Sequence, residues 1–202
     1  MTPHSALPSS AETKASRRAL EASQSIRLQA DRLFYDNGVI ETSMREIARA
    51  ADVSLSRLMR MHLSKEDLVL DYLANRHLRD VHALGELTGA DATPRQALRG
   101  ALDAIVTELL TPGFRGCAFL NASSEAGHHY PSIRTEVYAH RDWYTTETTR
   151  LLRAAGHPRP ADAADDLLLA RDGGMASIHG GNVLSAVSAM RRSIGRAFDD
   201  IA

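Results

Sequence analysis

Apolar residues recur along almost the whole chain with the period of an α-helix. Ile26, Ala30 and Phe34 stand at i, i+4 and i+8, so they lie on one helical face. Apolar stripes of the same kind follow in later segments. No run shows the strict alternation of apolar and polar residues that is typical of a half-buried strand. The pattern predicts an all-α protein of about nine helices.

Capping and terminating residues divide the first part of this pattern into short helices. Gly38 ends the first long helix, and Ser43 with Glu46 three positions later forms the capping box that begins a second one. Ser54 and Ser64 are in position to cap a third and a fourth helix. Two short helices joined by a tight turn inside a three-helix head are typical of a helix-turn-helix.

The predicted helix-turn-helix suggests that the head binds DNA. Residues 43–51 would support the unit and residues 54–61 would enter the major groove, with Leu58 holding the second helix to the core. Arginine can form two hydrogen bonds to guanine, and helix N-termini bind phosphate. The candidate DNA-contacting residues are Ser43, Arg45, Ser54, Leu55, Ser56, Arg57, Met59, Arg60 and Lys65. Capped helices with exposed arginines also form the solvated faces of ordinary helical bundles, so the pattern alone leaves both interpretations open.

The rest of the chain predicts a second helical part that could hold a small ligand. Most of the chain's aromatic residues lie between Phe114 and Tyr144, together with histidines, a cysteine and an asparagine. An apolar pocket with a few polar groups is the usual form of a small-molecule site. The candidate ligand-contacting residues are Phe114, Cys117, Phe119, Asn121, His128, Tyr138, Trp143, Tyr144 and His179. The same aromatic side chains could instead fill an ordinary core.

Composition and charge narrow the class of protein. Of the 202 residues, 44% are hydrophobic and the formal net charge is −1, which excludes wholesale disorder and a uniformly basic nucleic-acid-coating protein. From Lys14 to Lys65, however, ten basic residues stand against six acidic ones, so the head is mildly basic. The single cysteine excludes a disulfide framework within one chain. The sequence shows neither a secretory signal nor a run of about 20 apolar residues, so we expect a cytoplasmic protein.

Neither a metal centre nor an enzyme active site is evident in the sequence. His128 and His129 are adjacent and point apart on a helix, unlike the i, i+4 pair that holds a metal ion. There is no Gly-x-Ser-x-Gly motif and no glycine-rich cofactor loop. We therefore expect no metal, no cofactor and no enzymatic activity. A helical small-molecule-binding protein or hydrolase without DNA binding is the alternative.

The last two predicted helices carry more apolar surface than one domain needs. The first runs from Asp162 to about His179 and is rich in leucine, alanine and glycine, and the second runs from Val183 to Asp200. Small residues allow helices to pack closely, so a homodimer through these two helices would bury the surplus. A helix of the same chain could also cover it.

A specific series of residues runs through the head, within the gap-free segment SIRLQADRLFYDNGVIETSMREIARAADVSLSRLMRMHLSKEDLVLDYL. The series consists of Phe34, Gly38, Thr42, Ser43, Ile47, Ala48, Val53, Ser54, Leu58, Ser64, Lys65 and Glu66. In these residues and their spacing the head resembles the DNA-binding domain of the tetracycline-repressor (TetR) family of bacterial transcription regulators. The chain departs from the family pattern at Asp52, where glycine is usual, and at Met59 and His62, where tyrosine and phenylalanine are usual.

The resemblance implies an organisation and a function for the whole chain. The proline- and serine-containing start predicts a disordered arm over residues 1–18, followed by a helix-turn-helix DNA-binding domain at 19–66 and a ligand-binding and dimerisation domain at 67–202. The implied function is ligand-responsive, DNA-binding transcription regulation. In the family's usual mode, a small-molecule effector releases a homodimeric repressor from a near-palindromic double-stranded DNA operator.

Overall fold

Nine α-helices and one 3₁₀ turn make up the part of the chain that the computed structural model describes, residues 10–89 and 91–201. The α-helices are α1 (Ser10–Asn37), α2 (Met44–Ala50), α3 (Leu55–Met61), α4 (Lys65–Leu87), α5 (Pro94–Leu109), α6 (Ala118–Ala126), α7 (Pro131–Ala154), α8 (Pro160–Ala176) and α9 (Val183–Asp199). The 3₁₀ turn, Ser177–Gly180, lies between α8 and α9. The described residues contain no strand, so the predicted all-α class is confirmed. None of these helices is both long enough and apolar enough to cross a membrane.

The first helix begins earlier than the sequence pattern predicts. Because α1 starts at Ser10, residues 10–18 are helical, and their assignment to a disordered arm was wrong. Alanine, glutamate, lysine and arginine dominate this stretch, and these residues lose little side-chain freedom in a helix. The remaining part of the predicted arm, residues 1–9, lies outside the described residues.

The chain divides into two compact units, Met1–Tyr72 and Leu73–Ala202. In the first unit, α2 packs against both α1 and α3. Ile26, Ile47 and Leu58 come one from each of these helices, and all three are completely buried. Each of these branched aliphatic side chains contributes roughly 1.5–3 kcal/mol to stability when it is buried.

The turn between α2 and α3 has the geometry that a helix-turn-helix needs. Asp52 adopts a positive φ of 54°, in the left-handed region that aspartate tolerates better than most residues. The N–H of Asp52 donates to the carbonyl of Arg49 at 3.3 Å, and the N–H of Val53 donates to the carbonyl of Ala48 at 3.0 Å. This pair of bonds is a Schellman motif, which ends α2 and redirects the chain into α3.

The capping box predicted at the start of α2 is present. The Ser43 hydroxyl accepts a hydrogen bond from the N–H of Glu46 at 3.2 Å, and the Glu46 carboxylate accepts one from the N–H of Ser43 at 2.7 Å. The backbone and hydroxyl bonds from Ser43 lower the pKa of Glu46 from its ordinary value of 4.5. A carboxyl pKa that is lower in the folded protein adds stability above about pH 4.5, and this stability is lost as the pH falls through the folded pKa.

We expect Ser43→Ala to lower the free energy of unfolding by about 1 kcal/mol at neutral pH, because α2 loses its N-cap. Glu46→Gln should remove the part of the pH dependence that the ionised carboxylate supplies. Denaturant titrations at neutral pH and in acid measure both effects. Ser56→Ala, a change at an exposed serine within α3, is the control. If Ser43→Ala and Ser56→Ala cost the same, the cap does not stabilise the head.

In the second unit, α8 packs against both α7 and α9. On α8, Leu167 is buried whereas Leu169 is 67% exposed. On α9, Val187 and Met190 are buried whereas Leu184 is 78% exposed. Each of the last two helices therefore packs an apolar face against the rest of the second unit and leaves one leucine exposed to solvent.

Candidate DNA-binding surface and ligand cavity

The orientation of α3 is determined by one buried leucine and one serine cap. Leu58 is completely buried, and the Ser54 hydroxyl accepts a hydrogen bond from the N–H of Arg57 at 3.2 Å. The following residues, Met59 and Arg60, are exposed. With the anchor on one side and an arginine on the other, α3 has the form of a helix that reads a groove.

Two basic side chains, one on α3 and one at the start of α4, are held by hydrogen bonds to the backbone. The guanidinium of Arg57 donates to the carbonyl of Arg18 at 2.8 Å, and the ammonium of Lys65 donates to the carbonyl of Ile40 at 2.6 Å. These bonds restrain both cations at the surface of the first unit.

The structure places the nine predicted DNA-contacting residues in two groups. Half-buried are Leu55, Arg57 and Lys65. Exposed are Ser43, Arg45, Ser54, Ser56, Met59 and Arg60. Their contacts with DNA stay predictions.

The second unit contains a cavity of about 440 Å³, which is within the size range of small-molecule sites. Its wall comes from α4, α5, α7, α8, the start of α6 and the segment that leads into α6. The apolar lining includes Ala83, Leu84, Leu87, Leu98, Leu102, Ile105, Phe119, Trp143, Leu151 and Met175. The charged and polar lining includes Arg76, Arg79, Asp80, Glu108, Tyr144, Glu147, Thr148 and Arg171.

Some of the predicted ligand-contacting residues line this cavity and others do not. Lining it are Cys117, Phe119, Trp143 and Tyr144. Outside the lining are Phe114, Asn121, His128, Tyr138 and His179.

The outlying residues have identifiable positions. Tyr138 is 66% exposed because it follows the buried Val137 on α7 and so falls on the outer side of that helix. His128 and His179 are exposed as well. The Asn121 side chain donates to the carbonyl of Arg115 at 2.8 Å, so it ties the loop before α6 to that helix.

The loop that enters the cavity wall passes very close to α8. Gly116 has a φ of +86°, and a Cβ placed there would lie 3.1 Å from the carbonyl oxygen of Met175 and 3.4 Å from His179 Nε2. Glycine allows both the positive φ and the close approach. The next residue, Cys117, is thereby brought beside α8.

Arg171 of α8 is a buried charge in the cavity wall, with only 7% of the residue exposed. Its guanidinium donates to the Asp172 carboxylate at 3.0 Å, approaches Cys117 Sγ at 3.8 Å, and lies 4.8 Å from the centre of the Tyr144 ring. Burial opposes the charge, but Cys117, Tyr144 and Asp172 outweigh burial and raise the pKa of Arg171 above its ordinary value. The cavity wall therefore carries a permanent positive charge.

Two carboxyl groups also face the cavity, Asp80 on α4 and Glu108 on α5. Loss of solvent raises the pKa of both groups, and the nearby Arg171 guanidinium acts in the opposite direction. The ionised forms of Asp80 and Glu108 are thus less favourable than in water. These two groups can change their charge by taking up a proton, whereas Arg171 stays charged.

A pair of histidines supports the aromatic side of the cavity. His140 stacks on Phe119 with 3.6 Å between ring centres, and its Nδ1 lies 3.1 Å from Nδ1 of His77. Burial lowers the pKa of His140 to about 3, with the charge of Arg171 adding to the effect, so the ring is neutral at pH 7. The neutral ring can pack flat against Phe119 and hold it in the wall.

Sequence reasoning missed Arg171, Asp80 and Glu108, and it missed α4 and α5 as walls of the cavity. An arginine inside the apolar run LLLARDGGM was the available signal, since a charge among buried residues needs partners. Asp80 and Glu108 have no such signal, because acidic residues are common on the solvated faces of helices. Within residues 10–89 and 91–201, no three His, Cys, Asp or Glu side chains are arranged so as to hold a metal ion.

Comparisons with known proteins match the first unit to a family model and the whole chain to solved structures. Residues 26–72 match the family model described as bacterial regulatory proteins, tetR family. SCO4454, a TetR-family transcriptional regulator from Streptomyces coelicolor, is 28% identical, with a TM-score of 0.83 over 90% of this chain and 96% of that one. No curated protein matches the chain.

Two more distant structures share the fold. A TetR transcriptional regulator from Legionella pneumophila is 16% identical, with a TM-score of 0.75 over 86% of this chain and 96% of that one. A TetR transcription regulator from Haloarcula marismortui is 14% identical, with a TM-score of 0.79 over 91% of this chain and 100% of that one. The matched head, the similarity over nearly the full length and the geometry of α2 and α3 lead to one conclusion: residues 26–72 match the DNA-binding domain of the tetR family of bacterial regulatory proteins, and the chain is similar over nearly its whole length to a TetR-family transcriptional regulator.

Proposed function

We propose that this ligand-responsive transcription regulator is a cytoplasmic repressor that a small-molecule effector releases from its operator. Residues 19–66 would bind a near-palindromic double-stranded DNA operator, and residues 67–202 would bind the effector and form the dimer. The observation that carries this proposal is the geometry of α3, which is anchored by the buried Leu58 and presents Arg60 to solvent. The cavity in the second unit supports the effector site.

A homodimer through α8 and α9 would explain the exposed leucines of these helices. Leu169 and Leu184 are 67% and 78% exposed, and α8 and α9 pack against each other within one chain. A two-fold axis beside these helices would bring each leucine onto the same apolar patch of the partner. Two copies of α3 would then face two half-sites, which is why we propose an inverted-repeat operator.

Two substitutions separate base reading from phosphate binding. Arg60→Met should cost roughly 1–3 kcal/mol of binding free energy and relax the base preference at one position of each half-site, because the arginine fork to guanine is lost. Lys65→Met should weaken binding to all sequences alike and reduce the salt dependence by about one unit, because one phosphate contact is lost. Arg153→Met, at an exposed arginine near the end of α7, is the matched control.

Selection from randomised duplex DNA by the purified protein, followed by band shifts at several salt concentrations, measures these effects. The expected result is an enriched inverted repeat bound normally by the Arg153→Met control. If no inverted repeat is enriched at low salt, the proposed function is wrong. A helical small-molecule-binding protein without DNA binding would then be the better description.

A further inference from the structure

The larger part of the cavity wall is suited to an apolar ligand body. Leu84 and Leu87 of α4 face the cavity together with Leu98, Leu102 and Ile105 of α5. Ligand binding is favourable when an apolar ligand displaces water from aliphatic side chains that line an open space. The aliphatic part of the wall therefore accepts the apolar body of a ligand, and the charged part selects its head group.

Arg171 differs from the other charges of the wall because its countercharge is shared. The Asp172 carboxylate accepts hydrogen bonds from Arg171 and also from Arg141 of α7. Two guanidiniums therefore divide one carboxylate between them, and this group of three side chains has a net charge of about +1. A partly compensated guanidinium beside an apolar space favours an anionic ligand that can accept its hydrogen bonds.

The start of α6 adds to the positive potential at the same place. Cys117 is the N-cap of this helix and makes no side-chain cap bond, and both Cys117 and Ala118 line the cavity. The N-terminus of a helix carries a partial positive charge. Because Arg171 Nη2 lies 3.8 Å from Cys117 Sγ, the guanidinium and the helix terminus act on the same region.

The opposing charges of the wall do not cancel this preference. Three carboxylates and two further guanidiniums also line the cavity, so these five side chains have a net charge of −1 when all are ionised: Asp80, Glu108, Glu147, Arg76 and Arg79. Burial raises the pKa of Asp80 and of Glu108, so protonation of these carboxylates when an anion enters costs less free energy than it would in water. Arg171 keeps its charge throughout.

We propose that the effector is an amphipathic carboxylate whose acid group binds Arg171 beside the start of α6 and whose apolar body lies against α4 and α5. This inference rests on the proposed function, which gives the ligand its regulatory role, but ligand binding itself can be measured without DNA. A cationic amphiphile would meet the permanent charge of Arg171 at close range. A neutral amphiphile would form no ionic pair with the guanidinium of Arg171.

The test compares three head groups on one chain. Decanoate, decanamide and decylamine are titrated into the full-length protein by calorimetry and by the fluorescence of Trp143, and carboxylates from hexanoate to dodecanoate extend the series. Decanoate should bind about tenfold more tightly than decanamide, and decylamine should bind most weakly, because only the carboxylate forms a charge-assisted pair with Arg171.

Substitutions then assign the preference to the proposed residue. Arg171→Gln should reduce the difference between decanoate and decanamide to less than about twofold, and Arg153→Met should leave it unchanged. Since Arg171 is buried and its replacement can disturb folding, Glu108→Gln provides an independent variant at the cavity wall. Removing that negative charge should tighten decanoate binding by about threefold and leave decanamide unaffected.

Three results would overturn the inference: decanamide or decylamine binding as tightly as decanoate, no carboxylate of the series binding at about 1 mM, or Glu108→Gln weakening decanoate. The inference and the proposed function fail separately. If the protein binds an inverted repeat but prefers neutral ligands, only the effector class is wrong. If it binds decanoate through Arg171 but enriches no DNA sequence, only the proposed function is wrong.

Discussion

Leu184→Glu should convert a homodimer into monomers and reduce binding to a full operator by about 100-fold or more. Leu184 is 78% exposed on α9, so a carboxylate there leaves the packing of one chain intact. At a two-fold interface, however, it would bury a charge without a partner. Two linked half-site contacts would then become two separate ones, and the gain in affinity from their linkage is lost.

Light scattering and band shifts measure the two parts of this expectation. The wild-type protein should have twice the chain mass of 22.0 kDa, and the Leu184→Glu protein should have the mass of a single chain. Leu78→Glu, at a leucine of α4 that is 62% exposed, is the control and should stay dimeric. A charge at Val187 is a poor test, because this residue is buried within its own chain and its replacement would disturb folding. A wild-type monomer, or a dimeric Leu184→Glu protein, would contradict the proposed interface.

Leu58→Ala should cost about 2–5 kcal/mol of unfolding free energy and abolish sequence-preferring DNA binding. The leucine is completely buried and is the anchor that fixes which face of α3 points outward. The expected cost is a large share of the roughly 5–15 kcal/mol that stabilises a typical domain. The variant would therefore leave α3 without a defined orientation even if its helical structure persisted.

Hydrogen exchange of the amides in α2 and α3 is the appropriate measurement, because it reports the first unit alone. The single tryptophan, Trp143, lies in the second unit and tests whether that unit keeps its environment. Met59→Ala changes the next residue, which is 45% exposed, and should have little effect on stability. If Leu58→Ala is no more destabilising than Met59→Ala, Leu58 is not the anchor of the helix.

The helices and the helix-turn-helix were predictable from sequence because their determinants are local. Ser43 and Glu46 stand three residues apart, and the turn at Asp52 is closed by hydrogen bonds within five residues. Such signals depend on the residue types at a few neighbouring positions. The sequence pattern therefore predicted the capping box and the turn without information about tertiary packing.

The cavity was only partly predictable because its wall is assembled from distant segments. Cys117 and Arg171 meet at 3.8 Å although 54 positions separate them along the chain. Aromatic clustering indicated Phe119, Trp143 and Tyr144, but the same signal included Tyr138, which points outward. Helix periodicity gives the side on which a residue lies, whereas the identity of the neighbouring helix depends on tertiary packing.

The tight passage of the loop past α8 limits how this protein could be re-engineered as a biosensor. A combinatorial library aimed at new inducers can diversify the aliphatic positions of α4 and α5, where changes in side-chain volume reshape the cavity. Gly116 should be excluded from such a library, since any side chain there meets the carbonyl oxygen of Met175 at 3.1 Å and is strained by the positive φ. Gly113, with a φ of +79° and open space around it, could accept asparagine. Two glycines three positions apart thus mark a closed and an open site for directed evolution.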